Sequence, residues 1–378
     1  MTERARSARQ GAGRQPQPSR AAPAAFGNGD PLRGKAATIQ DVANEAGVSR
    51  AAVSKVIRDA YGVSPQMRKR VEAAIERLNY RPRVAARAMR GASFTLGLQI
   101  PEIGNDFHSV IATGAADALI DTPYQLIIAP IRDPGQDDKT LENLADRQVD
   151  GIIAVAPLVS TEWLDRLALR VPLVMVGRHD TSTHYDTVAG DDQRGADSVM
   201  EHLIELGHRR IAFLGVEPDQ KETASAKPYI SRTGRDPHSI RRRAYQEHMG
   251  ALDLPPLFVG AGGLMESDAA EATRRLLELH PDVTAIFAGH DTLAIGALRT
   301  MAISGVDTSS LSVAGFDDVP IANHPLISLT SVAQRGYEMG RVAVRLLLER
   351  MEGRTRAESL QMPTELKIRR TTNAPRTR

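Results

Sequence analysis

Ile39, Val42, Ala43 and Ala46 fall at i, i+3, i+4 and i+7, the apolar stripe of one helix face. Thr38 with Asp41 three residues on forms a variant capping box at its start, and Gly47 supplies the permissive backbone that ends it. Ser49 is placed to cap a second helix whose Val53, Val56 and Ile57 face inward. Ser64-Pro65 marks a third start, because proline suits the first helical position, and Val71, Ala74, Ile75 and Leu78 continue its stripe. The pattern predicts three short amphipathic helices, the first two joined by a tight glycine turn as in a helix-turn-helix. The middle one, "RAAVSKVI", carries small side chains where a solvated helix would carry Glu and Lys, which suits close approach to something large.

The period changes from Phe94 onward. "TLGLQI", "QLIIAP", "GIIAVAP", "PLVMVG", "RIAFLG", "PLFVG", "TAIFAG" and "LSVAGF" are short continuous apolar runs, and helical patterns such as 196–206, 268–279 and 292–301 separate most of them. Buried parallel strands alternating with helices predict an α/β doubly wound architecture. Eight or so strands over the stretch fit two lobes better than one. Ligands in such lobes bind beyond the carboxyl ends of the strands.

Charge sharpens the division. Residues 1–92 carry 18 Lys and Arg against 7 Asp and Glu, and the remainder carries 30 against 39. A basic head on an acidic body points to a polyanionic partner for the head. Residues 1–36, rich in Arg, Gly, Pro, Gln and Ala, read as a disordered basic arm. Pro82 stops the third helix, and "RVAARAMR" is one more short helix that needs a partner to fold against. There are no cysteines, which excludes a disulfide framework and thiolate metal sites. No apolar run reaches the ~18 residues of a membrane span, and no hydrophobic leader opens the chain, so the cytoplasm is the expected compartment. No G-x-G-x-x-G, P-loop, G-x-S-x-G or H-E-x-x-H is present, and His202 and His208 have the wrong spacing for zinc on one helix face. No cofactor, metal site or catalytic residue is expected, and the chain reads as a non-enzyme. A stand-alone small-molecule-binding protein or an enzyme on a doubly wound core is the alternative.

"TIQDVANEAGVSRAAVSKVI" resembles the signature helix-turn-helix of the lactose-repressor family of bacterial transcriptional regulators, and "NYRPRVAARAMR" is similar to its hinge. "PEIGNDFHSVI", "RQVDGIIAVAP", "EHLIELGHRRIAFLG", "TAIFAGHDTLAIGALR", "VAGFDDVP" and "LTSVAQ" resemble its effector core in the family's order, over roughly residues 37–372. The resemblance implies a helix-turn-helix DNA-binding domain at 37–80, a hinge at 81–92 and a periplasmic-binding-protein-like core at 93–372. The implied N-lobe is about 93–190 with 335–353, and the C-lobe about 191–333 with 356–372. It implies a homodimeric repressor that binds a pseudo-palindromic double-stranded DNA operator and is modulated by a small effector between the lobes.

By the same resemblance Arg50 and Ala51 read bases and Lys55 acts similarly, while Thr38, Ser49, Ser54 and Arg58 position the backbone. Arg58 stands where the family usually has Asn. Met89 takes the place of the hinge's leucine wedge, flanked by Arg87 and Arg90 for the minor groove. The implied effector shell is Asn105, Phe107, Arg241, His290, Asp317 and Gln334, whose charged, amide and aromatic groups suit a polyol. Arg178 and Asp191/Asp192 match strand-end motifs with either a structural or a pocket role. His108 and His290 replace a common aromatic and a common Asn, Gly263 falls where several members keep an aromatic, and the polar stretch 216–237 is longer than usual. A sugar is the expected effector; a nucleoside, a sugar phosphate or no small ligand stays open, as does whether the effector induces or co-represses.

Overall fold

The computed structural model describes residues 37–57, 60–80, 92–131, 136–216 and 234–376. The chain divides into two compact units, 1–83 and 84–378. The expected arm 1–36, the hinge to residue 91, Arg58 and most of the 216–237 stretch lie outside the described residues.

The first unit contains helices α1 (Ile39–Ala46), α2 (Arg50–Ile57) and α3 (Pro65–Arg77). Thr38 and Asp41 form the capping box, and Gly47 ends α1 in the left-handed region at φ 62°. Ser49 Oγ accepts from Ala52 N at 3.2 Å, and Ser64 Oγ accepts from Met67 N at 3.2 Å. Val42, Ala43, Ala46, Val53, Val56, Val71 and Ala74 form one buried cluster. The inward faces read from the sequence meet there.

The second unit is built on two six-stranded sheets. The first holds β1 (Thr95–Ile100), β2 (Gln125–Pro130), β3 (Gly151–Val155), β4 (Leu173–Val176), β5 (Asp186–Gly190) and β11 (Ser359–Met362), ordered β11-β5-β4-β3-β1-β2. All its pairings are parallel. The second holds β6 (Ile211–Val216), β7 (Leu257–Ala261), β8 (Ala285–Ala288), β9 (Ser312–Asp317), β10 (Thr330–Ala333) and β12 (Glu365–Lys367), ordered β12-β10-β9-β8-β6-β7. It is parallel except for β12, which pairs antiparallel with β10. Apolar clusters lie on both faces of each sheet, as continuous apolar strands require. Each sheet order reverses once, between β1 and β3 and between β6 and β8, and so opens a crevice at the strands' carboxyl ends.

The structure departs from the sequence reading at four strands. β5, β10, β11 and β12 go beyond the eight expected runs because "DTVAG", "TSVA", "SLQM" and "ELK" are short and carry polar residues. β11 joins the first sheet beside β5, so 359–362 does not belong with the C-lobe as the 356–372 boundary expected. β2 is an edge strand, and its Ile127 and Ile128 are exposed although the run reads as a buried strand.

The chain passes between the sheets three times: after β5, after β10 and after β11. The first and third passages are tied together, with Asp191 N donating to Met362 O at 3.0 Å and Thr364 Oγ1 to Asp191 O at 3.2 Å. The second leads into helix Gly336–Met351, which packs on helix Asp106–Asp117 of the first sheet. Two glycines permit that crossing: a Cβ on Gly114 would strike the Tyr337 carbonyl, and one on Gly340 the Ile111 carbonyl. No described helix is long and apolar enough to cross a membrane.

Candidate functional site

On α2 the side chains of Arg50, Ala51 and Lys55 are exposed, Ser54 is half-buried, and Val53 and Val56 anchor the opposite face. Arg50 and Lys55 make no ion pair among the described residues, so two cations stand free on one helix face. The exposed Thr38 and Ser49 sit at the N-termini of α1 and α2, where backbone N–H groups suit a phosphate. The loop after α2 adds Tyr61, fully exposed, which the sequence reading did not single out. Arg58, Arg87, Met89 and Arg90 lie outside the described residues.

In the second unit, loops at the carboxyl ends of both sheets enclose a cavity of about 330 Å³. All six expected effector residues line it, drawn from both sheets. Asn105 and Phe107 follow β1. Asn105 caps helix Asp106–Asp117 by accepting from Phe107 N at 2.9 Å. Phe107 lies against the backbone of Gly336, where any Cβ would overlap its ring. His290 and Asp317 stand at the ends of β8 and β9, and Gln334 on the passage after β10.

Arg241 is the electrostatic centre. It is 3% exposed and sits one turn into helix Pro237–Ala251, which Asp236 caps through Ser239 N at 3.0 Å. Its Nε and Nη2 reach Asp192 Oδ1 at 2.8 and 2.7 Å, and Nη1 donates to the Gly289 carbonyl at 2.6 Å. Nη1 also lies 3.6 Å from Asp317 Oδ1, and the Phe316 ring covers the guanidinium at 3.7 Å. His179 Nε2 completes Asp192 at 2.7 Å. Burial alone would raise the Asp192 carboxyl, but Arg241 and His179 outweigh it and hold it below the usual range. Burial pushes Asp317 up to about 7 against the pull of Arg241 and of Gln334, whose Nε2 donates to Asp317 Oδ1 at 2.5 Å.

Asp192 therefore supports the cavity from behind, and Asp191 caps helix Asp192–Glu205. Arg178 is buried with Asp180 and donates to the Pro157 and Val159 carbonyls at 2.6 and 2.7 Å, a structural role. Gly263 does not line the cavity, and its neighbour Leu264 does. A Cβ at position 263 would meet Asp268 Oδ2 at 2.5 Å, so a side chain there would have to displace the Asp268 carboxylate.

Three histidines meet at the cavity, and sequence reasoning placed only His290 in the effector shell. His108 Nδ1 donates to the Glu102 carbonyl at 3.1 Å. The His238 ring lies edge-on to His290 at 5.7 Å. Burial holds His290 well below its ordinary value and lowers His108 and His238 to about 4. His238 was legible in principle, since it precedes Arg241 by three residues and shares its helix face. Among the described residues no three His, Cys, Asp or Glu side chains are grouped to hold a metal.

The model of bacterial regulatory proteins of the lacI family matches residues 38–83, and that of the periplasmic binding protein-like domain matches 200–372. Catabolite control protein A of Priestia megaterium is 32% identical over 345 residues, covering 89% of this chain and 99% of that protein. The ribose operon repressor of Halalkalibacterium halodurans is 30% identical over 339 residues, covering 89% and 97%. The lac repressor dimer bound to operator and the anti-inducer ONPF superposes with a TM-score of 0.71 at 25% identity, covering 90% of this chain and all (100%) of that one. A three-helix head with a free cationic face, two doubly wound lobes around one cavity, and likeness over nearly the whole length agree: this chain belongs to the lacI family of bacterial regulatory proteins.

Proposed function

We propose that this protein is a sequence-specific transcriptional repressor whose operator affinity is set by a small ligand, a sugar by class, held in the cavity between its two lobes. The observation that carries this is the pairing, in one chain, of the exposed Arg50 and Lys55 on α2 with a polar-lined cavity at the strand ends. Arg50 and Ala51 read bases in the major groove with Lys55 beside them. Thr38, Ser49 and Ser54 contact the backbone. Arg58, and Arg87, Met89 and Arg90 of the hinge, complete the DNA contacts. Asn105, Phe107, Arg241, His290, Asp317 and Gln334 hold the effector.

The protein works as a homodimer on a pseudo-palindromic operator in the cytoplasm. The exposed Ile127 and Ile128 of edge strand β2 support self-association of the core. We read the cavity as a binding rather than a catalytic site. Ligand and operator are coupled through the lobe angle by ~1–3 kcal/mol.

Fluorescence anisotropy of the full-length protein on a fragment spanning its own promoter, against non-specific competitor, tests the reading. Specific binding shifted by one sugar of a panel is the expected result. No specific complex even at low salt, on that fragment or on any fragment enriched from the genome, would remove it. Affinity falls steeply between 50 and 200 mM salt, by roughly 10³–10⁵-fold if the dimer neutralises six to ten phosphates. A flat response would rule out DNA as the partner. Arg50→Ala relaxes base preference at one position of each half-site at a cost of ~1–3 kcal/mol. Equal weakening on all sequences would mean that Arg50 touches only phosphate.

A further inference from the structure

We infer that the cavity is built for an uncharged, polyhydroxylated ligand and rejects its phosphorylated or carboxylated forms, with His290 reading the ligand's hydroxyls; this rests on the effector reading above. A site for a phosphate or carboxylate needs cationic or backbone donors with unspent capacity. The one cationic side chain among the described lining residues is Arg241. Its Nε and Nη2 are committed to Asp192, and its Nη1 to the Gly289 carbonyl, with Asp317 close by. Phe316 closes the guanidinium face as well. Four carboxyl side chains, Glu102, Asp137, Asp236 and Asp317, line the same space. Among the described lining residues, an anion entering it meets carboxyl groups and no uncommitted cation.

The histidines do not change this balance. They are enclosed beside Arg241, and burial keeps the imidazoles in their uncharged form. An uncharged imidazole offers one N–H donor and one acceptor nitrogen, the same pair of roles that a hydroxyl offers in return. His290 is 2% exposed, and neither of its ring nitrogens has a protein partner among the described residues. A buried polar group left unpaired carries a desolvation cost that only a bound partner removes. Its position in the cavity lining makes the ligand that partner. Phe107, Ile111, Val155, Leu264 and Met339 supply the apolar wall for the C–H face of a sugar ring.

Isothermal titration calorimetry of the full-length protein with matched probes tests this. The set is ribose with ribose 5-phosphate, glucose with glucose 6-phosphate and glucuronate, and cellobiose. One neutral sugar binds, and its phosphate or uronate counterpart binds at least ~100-fold more weakly, the scale expected for a negative charge placed close to buried carboxylates. His290→Leu weakens that sugar at least ~10-fold, about one charge-neutral hydrogen bond, while the melting temperature of the ligand-free protein stays level or rises. His290→Gln, which keeps a donor and an acceptor, retains affinity within a few-fold. A phosphate or acid derivative that binds as tightly as its neutral parent overturns the charge assignment. Unchanged affinity in His290→Leu overturns the role of that residue. A panel silent in every arm, with operator binding intact in the same sample, overturns the effector reading and the charge assignment with it.

Discussion

Deletion of residues 1–92 is expected to abolish operator recognition and leave a folded core that still binds its effector. The loss is at least the ratio of specific to non-specific affinity, ~10³–10⁷ for proteins that read DNA sequence. The remainder carries 30 basic against 39 acidic residues, so it holds no residual attraction for a polyanion. The core survives because its apolar clusters are closed within residues 84–378, on both faces of each sheet. Anisotropy on the operator and a circular-dichroism melt of the truncated chain read both halves of the expectation. A truncated chain that fails to melt cooperatively would show that the core depends on the head.

The second large effect falls on stability. Asp192→Ala removes the carboxylate that pairs with Arg241 Nε and Nη2 and with His179, all within 2.8 Å. Arg241 is left 3% exposed with Asp317 as its remaining anionic neighbour at 3.6 Å. Breaking a buried pair from one side costs ~3–5 kcal/mol, because the surviving charge stays buried. Urea denaturation reads this as a lower midpoint at an unchanged slope. Asp192→Asn keeps an acceptor for one guanidinium donor and loses less. A loss below ~1 kcal/mol for Asp192→Ala would place the pair with exposed surface bridges and deny it a part in holding the cavity.

Much of this arrangement was legible in the sequence, for reasons particular to each residue. The caps at Thr38, Ser49 and Ser64 and the stop at Gly47 are local: each depends on side chains within three or four residues. Most of the eight apolar strands were visible because burial on both faces demands unbroken hydrophobic runs; the exposed edge strand β2 carries such a run without that burial. β5, β10, β11 and β12 escaped because part of their stabilisation is non-local and polar. Asp186 at the start of β5 is held by Arg350 at 2.8 Å and Arg354 at 2.7 Å, over 160 residues away in sequence. The six effector candidates came through family resemblance rather than periodicity, and the structure brings all six to one cavity. The supporting role of Asp192 depends on how helix Pro237–Ala251 meets β8 and helix Asp192–Glu205. No spacing along the chain encodes that.

The three passages between the sheets have a mechanical consequence. Two of them are laced together through Asp191, Met362 and Thr364, and Gln334 on the other lies so close to Gly190 that a Cβ there would sit 2.6 Å from its Oε1. Three tethers bound side by side would resist sliding and twisting and leave rotation about the line that joins them as the soft direction. Gln334 lies on that axle, and Asp192 starts the helix that leaves it. A ligand gripped there would act with a short lever on the pivot itself, and its sub-ångström adjustments would grow in proportion to distance from the axis. In such a design the tightness of the fit sets an angle, and the far ends of the lobes display it.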